Sequence, residues 1–514
     1  MTRPWPHLGA VTTLAALLLG TAPGCNNYYL PLGRMTVNFP GFSGDAMAES
    51  EVRERLRLPA GFAVNTWASG ITNARIVRFT KTGDLLVSAP RDGTIWLLER
   101  DANGDGVSDG RRALLTDLDR PHGIALHDGW LYVGETDGVI RVRFDAATRS
   151  TSGTPEQVVK GLPAGGNHWT RTVDVGPDGK LYVSVGSSCN VCEEADRRRA
   201  TIVRYDLDGT NEEIYASGLR NAVDFAWQPG TGDLYATDNG RDMLGDDFPP
   251  CELNKVVQGG FYGWPYANGD RVPDPDFGAK HPERIATSIS PVLGFGAHTA
   301  PLGLTFYEAS AFPAKYRGAI FVALHGSWNR SRKAGYEVVA VFLDGAGGAR
   351  EEPFLTGFEI DERVYGRPVD VAVGPDGALY VSDDFTGTVY RVVYGAAAPL
   401  TSAASAASGG AVAGRGDAAA AKVAGDPLAG VTDAERARAT ATGSALWAAN
   451  DCARCHLPHE GAQETYRPLE GLAAKYGIDS LATFLRTPQP PMPAYPFSDE
   501  QRRELAIWLL ATHR

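Results

Sequence analysis

Six short stretches of the chain repeat one pattern: a glycine, one further residue, then an apolar run that alternates with small or polar residues. They are Gly83-Asp84-Leu85-Leu86-Val87-Ser88, Gly129-Trp130-Leu131-Tyr132-Val133-Gly134, Gly179-Lys180-Leu181-Tyr182-Val183-Ser184, Gly232-Asp233-Leu234-Tyr235-Ala236-Thr237, Gly318-Ala319-Ile320-Phe321-Val322-Ala323 and Gly377-Ala378-Leu379-Tyr380-Val381-Ser382. A period of two is that of a half-buried strand. The apolar runs start at 85, 131, 181, 234, 320 and 379, at intervals of 46, 50, 53, 86 and 59 residues. Several are followed by a second strand-like run, such as Thr94-Ile95-Trp96-Leu97, Val139-Ile140-Arg141-Val142, Thr201-Ile202-Val203-Arg204-Tyr205 and Thr388-Val389-Tyr390-Arg391-Val392. Pro177-Asp178-Gly179 and Pro375-Asp376-Gly377 carry tight-turn chemistry. A four-stranded propeller blade takes about 40–50 residues. The spacing therefore predicts an all-β six-bladed propeller over 55–394, with loops in the wider intervals. A β-sandwich is the competing architecture, and six similar hairpins favour radial repetition.

Composition agrees and narrows the partners. Sixty Gly and 33 Pro in 514 residues suit many turns, and 43% hydrophobic residues rule out a wholly disordered chain. The net charge of −12 argues against a nucleic-acid partner, which needs a basic footprint. Residues 395–430 are rich in Ala, Gly and Ser with few large apolar side chains, and read as a flexible linker. Helical patterns return over 431–514, where Ser498 and Gln501 have the spacing of a capping box. That segment reads as a small all-α domain.

Residues 8–20, after Arg3, form an apolar run too short to span a bilayer and read as the core of a signal peptide over 1–24. Thr21-Ala22-Pro23-Gly24-Cys25 resembles a bacterial lipobox, although Ala22 and Pro23 are unusual in it. A lipid anchor on Cys25 and plain secretion to the periplasm both stay open. Residues 25–54 then read as a tether. Export permits disulfides. Cys189 and Cys192 are spaced like a structural bridge, which leaves Cys251 free. Asp101-Ala102-Asn103-Gly104-Asp105-Gly106-Val107-Ser108-Asp109 has the order of a calcium loop's start, but Arg112 stands where an EF-hand has Glu. Calcium loop and plain hairpin turn remain equal readings.

Cys452-Ala453-Arg454-Cys455-His456 is a CxxCH motif, in which Cys452 and Cys455 attach a haem c and His456 ligates its iron. Met492 is the one Met after position 243 and lies just before the last helical pattern. This resembles the class I cytochrome c domain, and the resemblance implies Met492 as the second axial ligand. His459 and His513 are expected to be exposed rather than ligating.

Several stretches of the body together resemble the quinoprotein glucose/sorbosone dehydrogenase family, six-bladed propellers that bind PQQ and calcium on one face. Gly166-Asn167-His168-Trp169-Thr170-Arg171 resembles the family's His-x-x-Arg stretch, which implies His168 as the catalytic base, with a His packed in a turn as the plainer reading. Asn167 stands where the family often has Asp. Ser217-Gly218-Leu219-Arg220-Asn221 matches the family's Arg-Asn pair on PQQ, with a bidentate guanidinium expected on a cofactor carboxylate. Asp238-Asn239-Gly240-Arg241-Asp242 matches the stretch whose backbone carbonyls hold calcium, which implies Gly240 and Arg241, although Arg241 replaces the usual Pro. Gly260-Phe261-Tyr262-Gly263-Trp264-Pro265 also matches and reads as structural. His325-Gly326-Ser327-Trp328-Asn329-Arg330-Ser331-Arg332-Lys333 implies a cation at the quinone edge, in a register open between Arg330 and Lys333. Arg367, in Tyr365-Gly366-Arg367-Pro368, matches a cofactor-facing Arg. His122 sits where the family has a polar pocket residue, and is open to a structural reading. His298 and His325 are weaker candidates.

The resemblance implies an exported sugar dehydrogenase. Hydride would pass from an aldose or a sorbosone-type sugar to PQQ, and electrons to the attached haem and then to an external quinone or cytochrome. The rival is an electron-carrier lipoprotein whose propeller binds a protein or glycan and catalyses nothing.

Overall fold

The computed structural model describes residues 28–32, 35–39, 43–395, 428, 431–449, 469, 472, 476–486 and 497–512. The signal-peptide run, Cys25, most of the linker, the haem-motif residues Cys452, Cys455 and His456, and Met492, His459 and His513 lie outside the described residues. The chain divides into two compact units, residues 1–402 and 403–514.

The first unit is a six-bladed propeller of antiparallel blades. Blade one is Val77–Phe79, Leu85–Ala89, Thr94–Glu99 and Gly110–Leu115. Blade two is Ile124–His127, Trp130–Glu135, Gly138–Asp145 and Ser150–Val159. Blade three is Val173–Val175, Leu181–Val185, Thr201–Tyr205 and Glu213–Ser217, extended by the parallel pairing of Gly260–Phe261. Blade four is Phe225–Trp227, Leu234–Asp238, Pro250–Val256 and Leu293–Ala297. Blade five is Pro301–Phe306, Ile320–Leu324, Glu337–Leu343 and Ala349–Leu355. Blade six is Pro368–Val373, Leu379–Asp383 and Thr388–Tyr394, completed by Phe62–Ala68. Each of the six repeats is the second strand of its blade. In blades one, three, four, five and six every residue of that strand is buried, because both of its faces pack on a neighbouring sheet. The long interval before Ile320 holds the excursion between Pro250–Val256 and Leu293–Ala297.

Phe62–Ala68 closes the ring by pairing with Thr388–Tyr394, in a register that sets Phe62 opposite Tyr394. The residues before it were expected to be a tether. Instead Met47, Val52 and Leu56 lie in the same apolar cluster as Phe358 and Tyr390. The helix between Met47 and Leu56, Glu49–Arg55, buries Val52 alone among charged side chains, so it has no apolar periodicity to read. Across the ring, Arg78 joins Asp370 of blade six (2.7 Å) to Asp224 of blade four (3.3 Å).

Cys189 and Cys192 form the expected disulfide, and Cys251 is a buried free thiol. In the 101–109 loop, Asp101 accepts the N–H groups of Gly104 (2.6 Å) and Gly106 (2.8 Å), and Asp105 accepts that of Val107 (2.9 Å). That is a turn held by its own carboxylates. The second unit has the helices Asp433–Ala449, Ile478–Arg486 and Asp499–Thr512 around Leu481, Leu485, Leu505 and Leu510. Ser498 and Gln501 form the expected capping box, at 2.8 and 3.2 Å. A Cβ on Gly443 would meet Trp508 at 2.5 Å, so the first and last helices approach through a glycine.

Candidate active site

The ends of the second strands and the approaches to the innermost strands meet at one face. Blades four and five deliver Asn239 and His325 from the former, and blades one, three and four deliver Arg75, Thr170 and Val223 from the latter. They line a cavity of about 380 Å³.

His168 reaches it from the loop before the innermost strand of blade three. Gly166 turns that loop at φ +95°, where a Cβ would lie 2.5 Å from the Ser188 carbonyl oxygen. His168 Nδ1 is 2.9 Å from both the carbonyl oxygen and Oγ of Ser187. Ser187 Oγ donates instead to the Cys189 carbonyl at 2.7 Å. Nδ1 therefore carries the proton, donates it to the Ser187 carbonyl, and leaves the Nε2 lone pair for the cavity. Burial, and next the charge of Arg220, hold the imidazole down to about 3, with Arg199 and Arg171 adding to the effect. His168 is therefore neutral at pH 7.

Arg220 and Asn221 line the cavity beside it. Asp238 fixes their backbone, accepting the Arg220 N–H at 2.9 Å and the Asn221 N–H at 2.6 Å. The Arg220 side chain was expected to offer a free fork. All five of its N–H groups are instead committed to protein. Nε donates to the Asn190 carbonyl (2.9 Å), and Nη1 to the carbonyls of Asn239 (3.1 Å) and Gly240 (2.9 Å). Nη2 donates to Asn190 Oδ1 (2.9 Å) and Asp242 Oδ2 (2.8 Å). What Arg220 presents is a fixed positive charge.

The opposite wall is a cluster on Asp384. Its carboxylate takes Arg75 Nη1 at 3.0 Å, Arg367 Nε and Nη2 at 3.0 and 2.9 Å, and His325 Nε2 at 3.0 Å. Burial alone would raise this carboxyl, but Arg367, His325 and Arg75 hold it well below the usual range. Burial, opposed by Asp384, keeps His325 below its ordinary value. Arg75 and His325 face the cavity, and Arg367 sits behind them.

Several other expected residues lie elsewhere. His122 is fully buried behind Trp169, ring to ring at 5.7 Å, and burial with the charge of Arg75 pushes it well below 6.5. Arg330 turns away to the Ala297 carbonyl (3.2 Å) and Asp247 (3.4 Å). Lys333 is buried with its backbone N–H on Glu362 at 3.0 Å, outside the cavity wall. Arg241 is held by Asp274 (2.6 Å) and Asp276 (2.5 Å), away from the cavity. His298 and His325 do line it. The sequence reading missed Arg75, Asp384, Asn190 and Asp242. One signal was present: Asn239, His325 and Asp384 each follow their repeat at the same position, which the fold turns to one face.

The residues fit a flat, anionic aromatic group such as PQQ. Arg75 and Arg220 supply positive charge, and Trp169 and Trp328 supply flat apolar faces. The side-chain oxygens of Asn221, Asn239 and Asn329 are buried without a hydrogen-bond partner, ready to accept an N–H or O–H. Calcium on the Gly240 carbonyl does not fit this arrangement. That oxygen already accepts a fixed guanidinium, whose charge would repel the ion.

A family described as TrAA12-like matches residues 56–254 and 281–395. The chain belongs to this family. The TrAA12-like body is followed by a match to cytochrome c oxidase, cbb3-type, subunit III over residues 438–509, which bears out the resemblance to a dehydrogenase propeller joined to a cytochrome c domain. An uncharacterized protein of Borreliella burgdorferi is 31% identical over 368 residues, 68% of this chain and 94% of that protein. A pyrroloquinoline quinone-dependent pyranose dehydrogenase of Coprinopsis cinerea is 25% identical over 339 residues, 56% of this chain and 45% of that protein. The calcium structure of a Trichoderma reesei carbohydrate-active enzyme of family AA12 shares the fold, with a TM-score of 0.60 at 22% identity over 68% of this chain and all of that one. Among the described residues no helix is long and apolar enough to cross a membrane.

Proposed function

We propose that the protein is an exported sugar dehydrogenase that uses PQQ and passes electrons to its own haem c. The observation that carries this is a neutral histidine with a free lone pair at Nε2, set in a cavity between two buried arginine walls. Bound PQQ supplies a two-electron quinone acceptor for a hydride. His168 Nε2 takes the proton of the sugar hydroxyl as the carbon gives up hydride. Ser187 holds the ring in the tautomer that leaves Nε2 bare. Arg75 and Arg220 would hold the cofactor's carboxylates by charge, and Trp169 and Trp328 would offer apolar surface to its flat rings. The Coprinopsis relative, named as a PQQ-dependent pyranose dehydrogenase, supports the cofactor and the substrate class. Cys452 and Cys455 would hold the haem, with His456 and Met492 on its iron, supplying a one-electron acceptor. Residues 395–430 tether it and keep its effective concentration high. The substrate is an aldose or a sorbosone-type sugar, the final acceptor is external, and Cys25 anchors the protein at the periplasmic membrane surface.

The test is haem reduction in the full chain, followed by absorbance, with PQQ and a panel of sugars. Reduction that requires both PQQ and a sugar, and is lost in His168→Ala, is expected. Absence of reduction with every sugar, together with no PQQ binding by calorimetry, would leave the electron-carrier reading.

A further inference from the structure

The Cys189–Cys192 bridge closes a four-residue hairpin that stands between the two groups the pocket depends on. Its second residue, Asn190, bonds two residues of the cavity wall, Arg220 and Asp242. The Asn190 carbonyl and Oδ1 take two of the five Arg220 N–H groups, at 2.9 Å each. The same Oδ1 accepts the Asp242 backbone N–H at 2.8 Å, and Asn190 Nδ2 donates to the Asp242 carbonyl at 3.0 Å. Asp242 in turn bonds Arg220 Nη2 at 2.8 Å. Trp264 Nε1 donates to the Asn190 carbonyl at 3.3 Å, which fixes the hairpin from outside. On the other side, the Cys189 carbonyl accepts from Ser187 Oγ at 2.7 Å, and Ser187 is the partner of His168 Nδ1.

We infer that the disulfide hairpin is a positioning clamp for the active site: Asn190 locks the Arg220 guanidinium and the Asp242 loop into one pose, and the Cys189 end locks the Ser187–His168 pair. This deepens the proposed function and rests on the reading of the cavity as a PQQ site. The physical argument is pre-organisation. An arginine on a flexible stem loses rotamer entropy when it orders around a ligand, and a guanidinium ordered beforehand avoids that loss on binding. The bridge does the same one level down, since it restricts the four-residue loop that carries Asn190. Asn190 is a positioning residue and acts through Arg220.

The experiment titrates PQQ into the haem-loaded full chain by calorimetry, for wild type, Asn190→Ala, Asn190→Asp, Arg220→Lys and the Asn190→Ala/Arg220→Lys pair. Asn190→Ala is expected to raise the Kd about tenfold. Asn190→Asp keeps the acceptors facing Arg220 but loses the donor to the Asp242 carbonyl and offsets the guanidinium charge, and is expected to raise the Kd at least as much as Asn190→Ala. In the Arg220→Lys background, Asn190→Ala is expected to add little, because the group it positions is gone. Cys189→Ser/Cys192→Ser is expected to reproduce part of the Asn190→Ala effect. Wild-type binding with an unchanged Kd in Asn190→Ala overturns the clamp, and so does full additivity in the Arg220→Lys background. A wild type that binds no PQQ at all overturns the functional reading and the clamp with it.

Discussion

On one wall of the pocket a single guanidinium, Arg220, is held by five acceptors, of which four are neutral carbonyl or amide oxygens and one is the Asp242 carboxylate. On the other wall two guanidiniums and an imidazole converge on one carboxylate, Asp384. The first wall is satisfied many times over, and removing one partner leaves four. The second centres on one anion, and removing it takes from buried Arg75 its carboxylate partner. Both walls present positive charge to the cavity, but only the second concentrates its stability in one residue.

The largest expected effect breaks that asymmetry directly. Asp384→Asn should cost about 3–5 kcal/mol in denaturant unfolding, the scale for a buried charge left without its partner. Asp242→Asn should cost only about 1 kcal/mol, because Arg220 keeps neutral acceptors. Equal losses in the two variants would show that the walls are not held differently.

The next effect is a pH dependence. The His168 folded-state value, about 3, lies below its ordinary value of 6.5, so the unfolded chain takes up a proton first as the pH falls. The stability this group contributes is fully present above pH 6.5 and is lost as the pH drops toward 3. Wild type should lose on the order of 2 kcal/mol more than His168→Gln between pH 6.5 and 4, measured by thermal unfolding across pH. Parallel profiles would mean that the imidazole is not held neutral by burial and Arg220.

Smaller still, Arg75→Gln should weaken PQQ binding about tenfold, or about 1.4 kcal/mol, in calorimetric titration, since it removes charge from the cavity face of the Asp384 wall. An unchanged affinity would place all cofactor recognition on the Arg220 side.

The smallest effect concerns the floor under Arg220. Asp238 and Glu252 lie directly opposite each other in the sheet; burial pushes Asp238 up to about 7, and burial with the charge of Asp238 pushes Glu252 up to about 8. Their folded values are raised, so stability is lost as the pH climbs from the ordinary carboxylate range through these values. Glu252→Gln should gain about 1 kcal/mol at pH 8.5 and nothing at pH 5. Asn254, whose Oδ1 has no partner, can flip to accept the new amide. Equal melting temperature gains at both pH values would point to packing instead of charge.

Much of this site was legible one residue at a time. His168, Arg220 and Asn221 stand out by chemistry and motif, and all three line the cavity. Arg330, Lys333 and Arg241 have the right chemistry too, but acceptors from distant segments, such as Asp247, Asp274 and Asp276, draw two of them away. Asp384 and Arg75 are separated by 309 residues, and no local pattern marks their pairing. Asn190 looked like spacer between two cysteines, and its role exists only because the ring brings blades three and four together.

The sequence alone determined the number of blades, the strand that repeats and the capped last helix, and favoured the Cys189–Cys192 pair, because each depends on residues close together in the chain. Period-two burial, turn chemistry and capping are local physics. Tertiary structure decided which charged groups meet in the cavity, which turn outward, that residues 43–56 join the propeller core, and that the Arg220 fork is already filled. Those outcomes depend on which acceptor reaches a buried donor first, and in a closed ring that acceptor comes from a blade tens or hundreds of residues away.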